Sequence, residues 1–256
     1  MAGWRRVLFL DDDLSQADSS QVRAAAGLLR ELRAVGLANH GYPDNSVVCH
    51  AYREVGGAQE TFAGGGAMLV DPQSADAFFP DIYNEDWFFL YADARERRVG
   101  MTGSVFHRAF DPFADPARAR EEEFGDCLAE GLFWLLHEER GVEAADDEFW
   151  RSAIANRRKL IRHVLAKLRR RGPEWAQWPS RDRMLASLDA AQRISSFITP
   201  SLCVDYVEAW QQDLAQWRRS LTRLRPQPGI EKALVELGLL SCAASFPGSG
   251  PPRPPS

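Results

Sequence analysis

Cys203, Val207, Trp210, Leu214, Trp217, Leu221 and Leu224 follow one another in alternating steps of four and three residues. Seven apolar positions in that rhythm share one side of an α-helix, and such a seam has to be covered by other helices. Partners are legible upstream. Residues Ala117 to Glu139 place Phe124, Cys127, Leu128, Leu132 and Leu135 on one side. Asp147 to Arg171 carry Trp150, Ile154, Ile161, Leu165 and Leu168 as a stripe, and Arg181 to Phe197 carry Met184, Leu188 and Ala191. A short helix is predicted at Ile230 to Leu239. Five prolines among the ten residues from Pro247 predict a disordered tail.

Before this helical region the pattern is different. Arg6 to Leu10 is a short apolar run, as in a buried strand, and it ends in Asp11-Asp12-Asp13. Val22, Ala25, Leu29 and Leu32 then fall at helical spacing, which predicts a helix over Ser19 to Val35 with Gly36 as its stop. Asn39 to Asn45 is predicted as a loop, Ser46 to Tyr52 as a strand, Gly56-Gly57 as a turn and Glu60 to Phe62 as a short strand. Gly64-Gly65-Gly66 leads into a strand-like run, Ala67 to Val70. Asp71 to Ala77 reads as a loop, and Met101 to Phe106 as the last strand of this half. The expectation is therefore an α/β part over residues 1–116, a helical region over 117–240 and a tail over 241–256.

The 256 residues, with 45% hydrophobic and a formal net charge of -5, are enough for a substantial core. A mildly acidic balance argues against nucleic-acid binding, and no apolar run approaches the roughly 20 residues of a membrane span. Cys49, Cys127, Cys203 and Cys242 are far apart without CxxC pairing, as buried thiols in a reducing, cytoplasmic setting would be.

Four constellations could carry chemistry. Ligands of open α/β sheets sit beyond the carboxyl ends of strands, and three acids crowded there repel one another unless a cation neutralises them. Asp11 and Asp13 point the same way on an extended backbone and make the better ligand pair, although a solvated acidic loop has the same sequence. The glycine run 64–66 allows close backbone approach, or simply a turn. Glu85 and Asp86 lie inside the aromatic stretch Phe78 to Tyr91, where burial would raise a carboxyl pKa into the range of a proton-transfer group. A helix start capped by Asn84 explains the same residues. His107, just past a strand, is either structural or a ligand for a metal such as Mn²⁺. In addition, Arg157, Arg158, Lys159, Arg162, Lys167, Arg169, Arg170 and Arg171 make one helix strongly positive. That face is either solvated or a contact for anionic surfaces.

Taken in order, strand-end DDD, GGG, Tyr83-Asn84-Glu85-Asp86-Trp87 and a later histidine resemble glycosyltransferases of the GT-A fold, particularly the family 2 type. The resemblance covers about residues 5 to 115. It implies a partial GT-A, Rossmann-like mixed sheet followed by an all-helical C-terminal region. It also implies Mg²⁺ or Mn²⁺ as cofactor and a UDP- or GDP-sugar as donor. Asp11, Asp13 and His107 would then be metal ligands. Asp12, Gly65, Gly66 and Trp87 would contact substrate, and Asp86, with Glu85, would supply the catalytic base. In that family most of the nucleotide-binding half precedes the DxD strand, whereas ten residues precede Asp11 here. The resemblance thus implies a first strand at an open sheet edge and weak or absent activity for this polypeptide alone. A strand-end DxD phosphohydrolase with Asp11 as nucleophile is the alternative enzyme. It needs a lysine in the α/β part, and none occurs before Lys159. An inactive remnant acting as a binding module is the third reading.

Overall fold

The computed structural model describes residues 5–41, 46–58, 63–170 and 180–224, with 229, 232, 234 and 235. The chain is α/β with a mixed five-stranded sheet. Its elements are β1 (Val7–Leu10), β2 (Leu14–Ser15), α1 (Ser19–Leu28), β3 (Ala34–Gly41), α2 (Val47–Glu54), β4 (Ala67–Val70), α3 (Glu85–Arg95) and β5 (Val99–His107). After these come α4 (Pro116–His137), a 3₁₀ turn (Val142–Ala144), α5 (Asp147–Arg170), α6 (Arg181–Ser195) and α7 (Pro200–Arg223). The strand order is β1-β4-β3-β5-β2, with β3 and β5 parallel and every other pair antiparallel. β1, β3 and β5 therefore all end at one rim of the sheet, where β4 begins.

Both faces of the sheet are covered. Ala25 and Ala26 of α1 bury Val35, Leu37, Leu69 and Val105 on one side, and Phe89 and Leu90 of α3 bury Ala34, Met68 and Val70 on the other. A central strand covered on both faces reads as a continuous apolar run instead of an alternating one. That is why β3 was hidden in the sequence. Its residues Ala-Val-Gly-Leu-Ala look like the end of the preceding helix, yet α1 stops at Leu28, and β3 takes Ala34 to Gly41, including part of the predicted loop.

The predicted strand at Ser46 to Tyr52 is a helix. The Ser46 hydroxyl accepts from the Cys49 N–H at 3.3 Å as N-cap, and Val47, Val48, Ala51 and Val55 fall on one buried face. The β-branched pair at its start mimicked a strand, and tertiary packing overrode that local preference. Glu60 to Phe62 and nearly all of the predicted Ile230 to Leu239 helix and the proline tail lie outside the described residues.

Two cores join the later helices to α2 and α3. Phe88 and Tyr91 of α3 pack with Leu128 and Leu132 of α4, Trp150 of α5 and Cys203, Val207 and Trp210 of α7. Val47, Val48 and Ala51 of α2 pack with Ile161, Leu165 and Leu168 of α5 and Met184 and Leu188 of α6. The heptad seam of α7 is buried only through Trp210. Trp217 is 39% exposed and leans on Phe78, with ring centroids 6.2 Å apart. Among the described residues no helix is long and apolar enough to cross a membrane.

Candidate functional site

The shared rim gathers the segments that stood apart in the sequence. The Asp11 N–H donates to the Gly66 carbonyl at 2.9 Å, which ties the acidic segment to the glycine run as β1 meets β4. The Gly65 N–H donates to Asp86 Oδ2 at 2.6 Å, which ties the same run to the start of α3. Gly65 is required for this approach. A Cβ on Gly65 would lie 2.9 Å from the Asp86 Cβ, and one on Gly66 would lie 2.9 Å from Asp11 Oδ2.

Asp86 also accepts from the Trp87 N–H at 2.9 Å. Burial, the largest influence, pushes its carboxyl up to about 6, and the neighbouring Glu85 charge adds to this against the opposing hydrogen bonds. The two adjacent acids face different surroundings. Glu85 is exposed and lines a cavity of about 490 Å³ with Asp81, Ile82, Tyr83, Arg118 and Glu121. The Trp87 ring packs on Phe133 of α4 at 4.6 Å, within the helical core.

At the other end of the rim, β2 pairs with the end of β5, and Leu14 stands opposite His107. His107 Nε2 lies 3.1 Å from Asp13 Oδ2, and its Nδ1 lies 2.6 Å from the Arg108 carbonyl oxygen. The ring also rests on Phe110, with centroids 5.4 Å apart. Asp13 Oδ1 is buried with no hydrogen-bond partner among the described residues. An imidazole whose Nδ1–H is held by a carbonyl presents Nε2 as a metal-ligating histidine does. With an unpartnered carboxylate oxygen beside it, this mixed nitrogen–oxygen pair fits Mn²⁺ better than the harder Mg²⁺, the remaining ligands coming from water and phosphate. Asp11 and Asp12 are exposed. Among the described residues no three His, Cys, Asp or Glu side chains gather as a metal cage.

A supporting arrangement escaped sequence reasoning. Asn84 sits at the N-cap position of α3 in the left-handed region (φ 65°) and makes no side-chain capping bond. Its Nδ2 instead donates to Asp126 Oδ1 of α4 at 2.9 Å. Asp126 in turn accepts from Arg157 of α5, whose guanidinium also binds Glu123 and Glu130. Glu123, Asp126 and Arg157 are all buried, and burial pushes the Glu123 carboxyl upward against the pull of Arg157. One residue earlier, Gly125 leaves space for the chain at Tyr83: a Cβ there would lie 2.2 Å from the Tyr83 carbonyl oxygen. α4 thus clamps the two residues that precede the acid pair. The available signal was weak, namely acids on the otherwise apolar α4 stripe and an arginine on the stripe of α5.

Comparison with known protein families and with curated proteins found no match for this chain.

Proposed function

We propose that the chain is a GT-A-like glycosyltransferase, transferring a sugar from a UDP- or GDP-sugar to an acceptor hydroxyl with divalent-cation assistance. The observation that carries this reading is the Gly65 to Asp86 hydrogen bond beside the Asp11 to Gly66 one. Together they bring a strand-end acid, a glycine run and a helix-start acid to one rim, in the order the resemblance expects. The reading places a partial GT-A sheet before the helical region and locates the protein in the cytoplasm. The wide spacing of the four cysteines in the sequence, without CxxC pairing, supports that location.

In this reading Asp11, Asp13 and His107 would hold Mg²⁺ or Mn²⁺, with Asp12 near the donor. The cation would offset charge that develops on the leaving diphosphate. Asp86 takes the proton of the acceptor hydroxyl. A carboxyl near 6 is ionised at neutral pH yet more basic than an ordinary aspartate, which suits a general base. Its two backbone donors fix its direction, and Gly65 and Gly66 let the sugar approach the backbone.

The test is calorimetric titration of UDP- and GDP-sugars with Mn²⁺ into the chain and its Asp13→Asn variant, paired with a transfer assay of Asp86→Asn. The expected outcome is cation-dependent donor binding lost in Asp13→Asn. Any transfer should fall by about a hundredfold or more in Asp86→Asn with donor binding retained. Donor binding that ignores both the cation and Asp13 would overturn the proposal.

A further inference from the structure

A second concavity lies away from the rim, between α2 and α5. It has a volume of about 500 Å³ and is lined by Tyr52, Asn156, Lys159, Leu160, Arg162 and His163. The volume is that of a small-molecule site. Lys159, Arg162 and His163 stand at i, i+3 and i+4, so they share one face of α5 and can converge on one group. No carboxylate lines the groove, in a chain whose formal charge is -5.

Four of the other six cations of α5 are already engaged. Arg151 pairs with Asp147, Arg157 with three carboxylates, and Arg169 with Asp189. Arg158 donates to the carbonyls of Ser195 and Ile198 and so anchors the α6–α7 connection. Lys159, Arg162 and His163 make no ion pair or hydrogen bond among the described residues, nor do Lys167 and Arg170 one and two turns further on. The floor of the groove is apolar, because Tyr52 and Leu160 are half-buried over the core shared by α2, α5 and α6. The Tyr52 ring lies against Gly57. The Gly57 N–H donates to the Tyr52 carbonyl at 2.8 Å, and a Cβ on Gly57 would lie 2.5 Å from the ring.

We infer that this groove binds a phosphate-bearing small molecule with a flat apolar part, the phosphate meeting Lys159, Arg162 and His163 and the apolar part resting on Tyr52 and Leu160. Three cations converging beside an aromatic ring suit one discrete phosphate-bearing ligand. The inference is independent of the rim and of the reaction proposed there.

The experiment is calorimetry of the full chain with 1-naphthyl phosphate, inorganic phosphate and 1-naphthol, together with flotation on phosphatidic acid vesicles. One saturable site is expected for naphthyl phosphate, about tenfold tighter than for inorganic phosphate because the ring is also buried. Lys159→Ala and Arg162→Ala are exposed changes that should leave the melting temperature unaltered. Each should weaken binding about three- to tenfold through a lost charged hydrogen bond. Lys167→Ala and Arg170→Ala should leave binding unchanged. Equal weakening by Lys167→Ala would mean a diffuse cationic field and overturn the site. Absence of saturable binding would overturn it too, as would binding to vesicles but not to naphthyl phosphate.

Discussion

Asp86 is the residue at which burial of a charge and folding energy meet. Its carboxyl titrates near 6 in the folded chain against 3.8 ordinarily. The folded state therefore holds the proton more tightly, and the stability this group supplies is full below about pH 4 and lost as pH rises to about 6. Asp86→Asn has no such dependence. Relative to that variant, the parent chain should lose up to about 3 kcal/mol between pH 4 and pH 7, less in proportion to residual solvent contact. Urea unfolding of both chains at pH 4, 5.5 and 7 measures the difference, and a constant gap would mean that burial leaves the carboxyl unperturbed. The acids, the glycines and His107 were all legible as residue types. Their meeting was not, because Gly65 and Asp86 are 21 residues apart and the bond between them depends on where α3 docks. Nor could sequence show that Glu85 and Asp86, adjacent in the chain, look into different spaces.

At the scale of elements, α4 sets the start of α3. An asparagine tolerates the left-handed backbone better than other non-glycine residues, and Asn84 also supplies the hydrogen bond to Asp126. Asn84→Ala should cost about 2 kcal/mol by losing both, whereas Asn84→Gly keeps the backbone and should cost about half as much. Thermal unfolding of the two variants separates the contributions, and equal losses would assign the whole effect to the hydrogen bond. Long helices declared themselves through their stripes: α4, α5, α6 and α7 end within a few residues of their predicted limits. β3 and α2 did not, since an eight-residue element holds about two helical turns or one strand of alternation. Ala-Val-Gly and Ser-Val-Val then fit either state until a neighbour covers one face.

At the scale of the whole molecule, the sheet and the later helices share their interiors. Val47, Val48 and Ala51 lose their covering if α5 and α6 are removed, and Phe88 and Tyr91 lose theirs without α4 and α7. A fragment ending at residue 116 should therefore show no cooperative unfolding and should expose apolar surface to a dye such as ANS. Circular dichroism during urea titration checks this, and a sigmoidal transition of the fragment would show that the sheet with α1 and α3 suffices. Composition located the change of pattern near residue 116 but could not show that packing runs straight across it.

β1 and β2 flank the three aspartates, yet they find their partners far along the chain and at opposite ends of the strand order. Leu10 pairs with Ala67, and Ser15 bonds across 91 residues to the Phe106 carbonyl. The acidic segment is thus shaped by two distant loop closures, each with an entropic toll that grows with the length enclosed. Local helices form well before such contacts. Asp11 to Asp13 should consequently acquire their geometry only once both closures are made, later than the local helices.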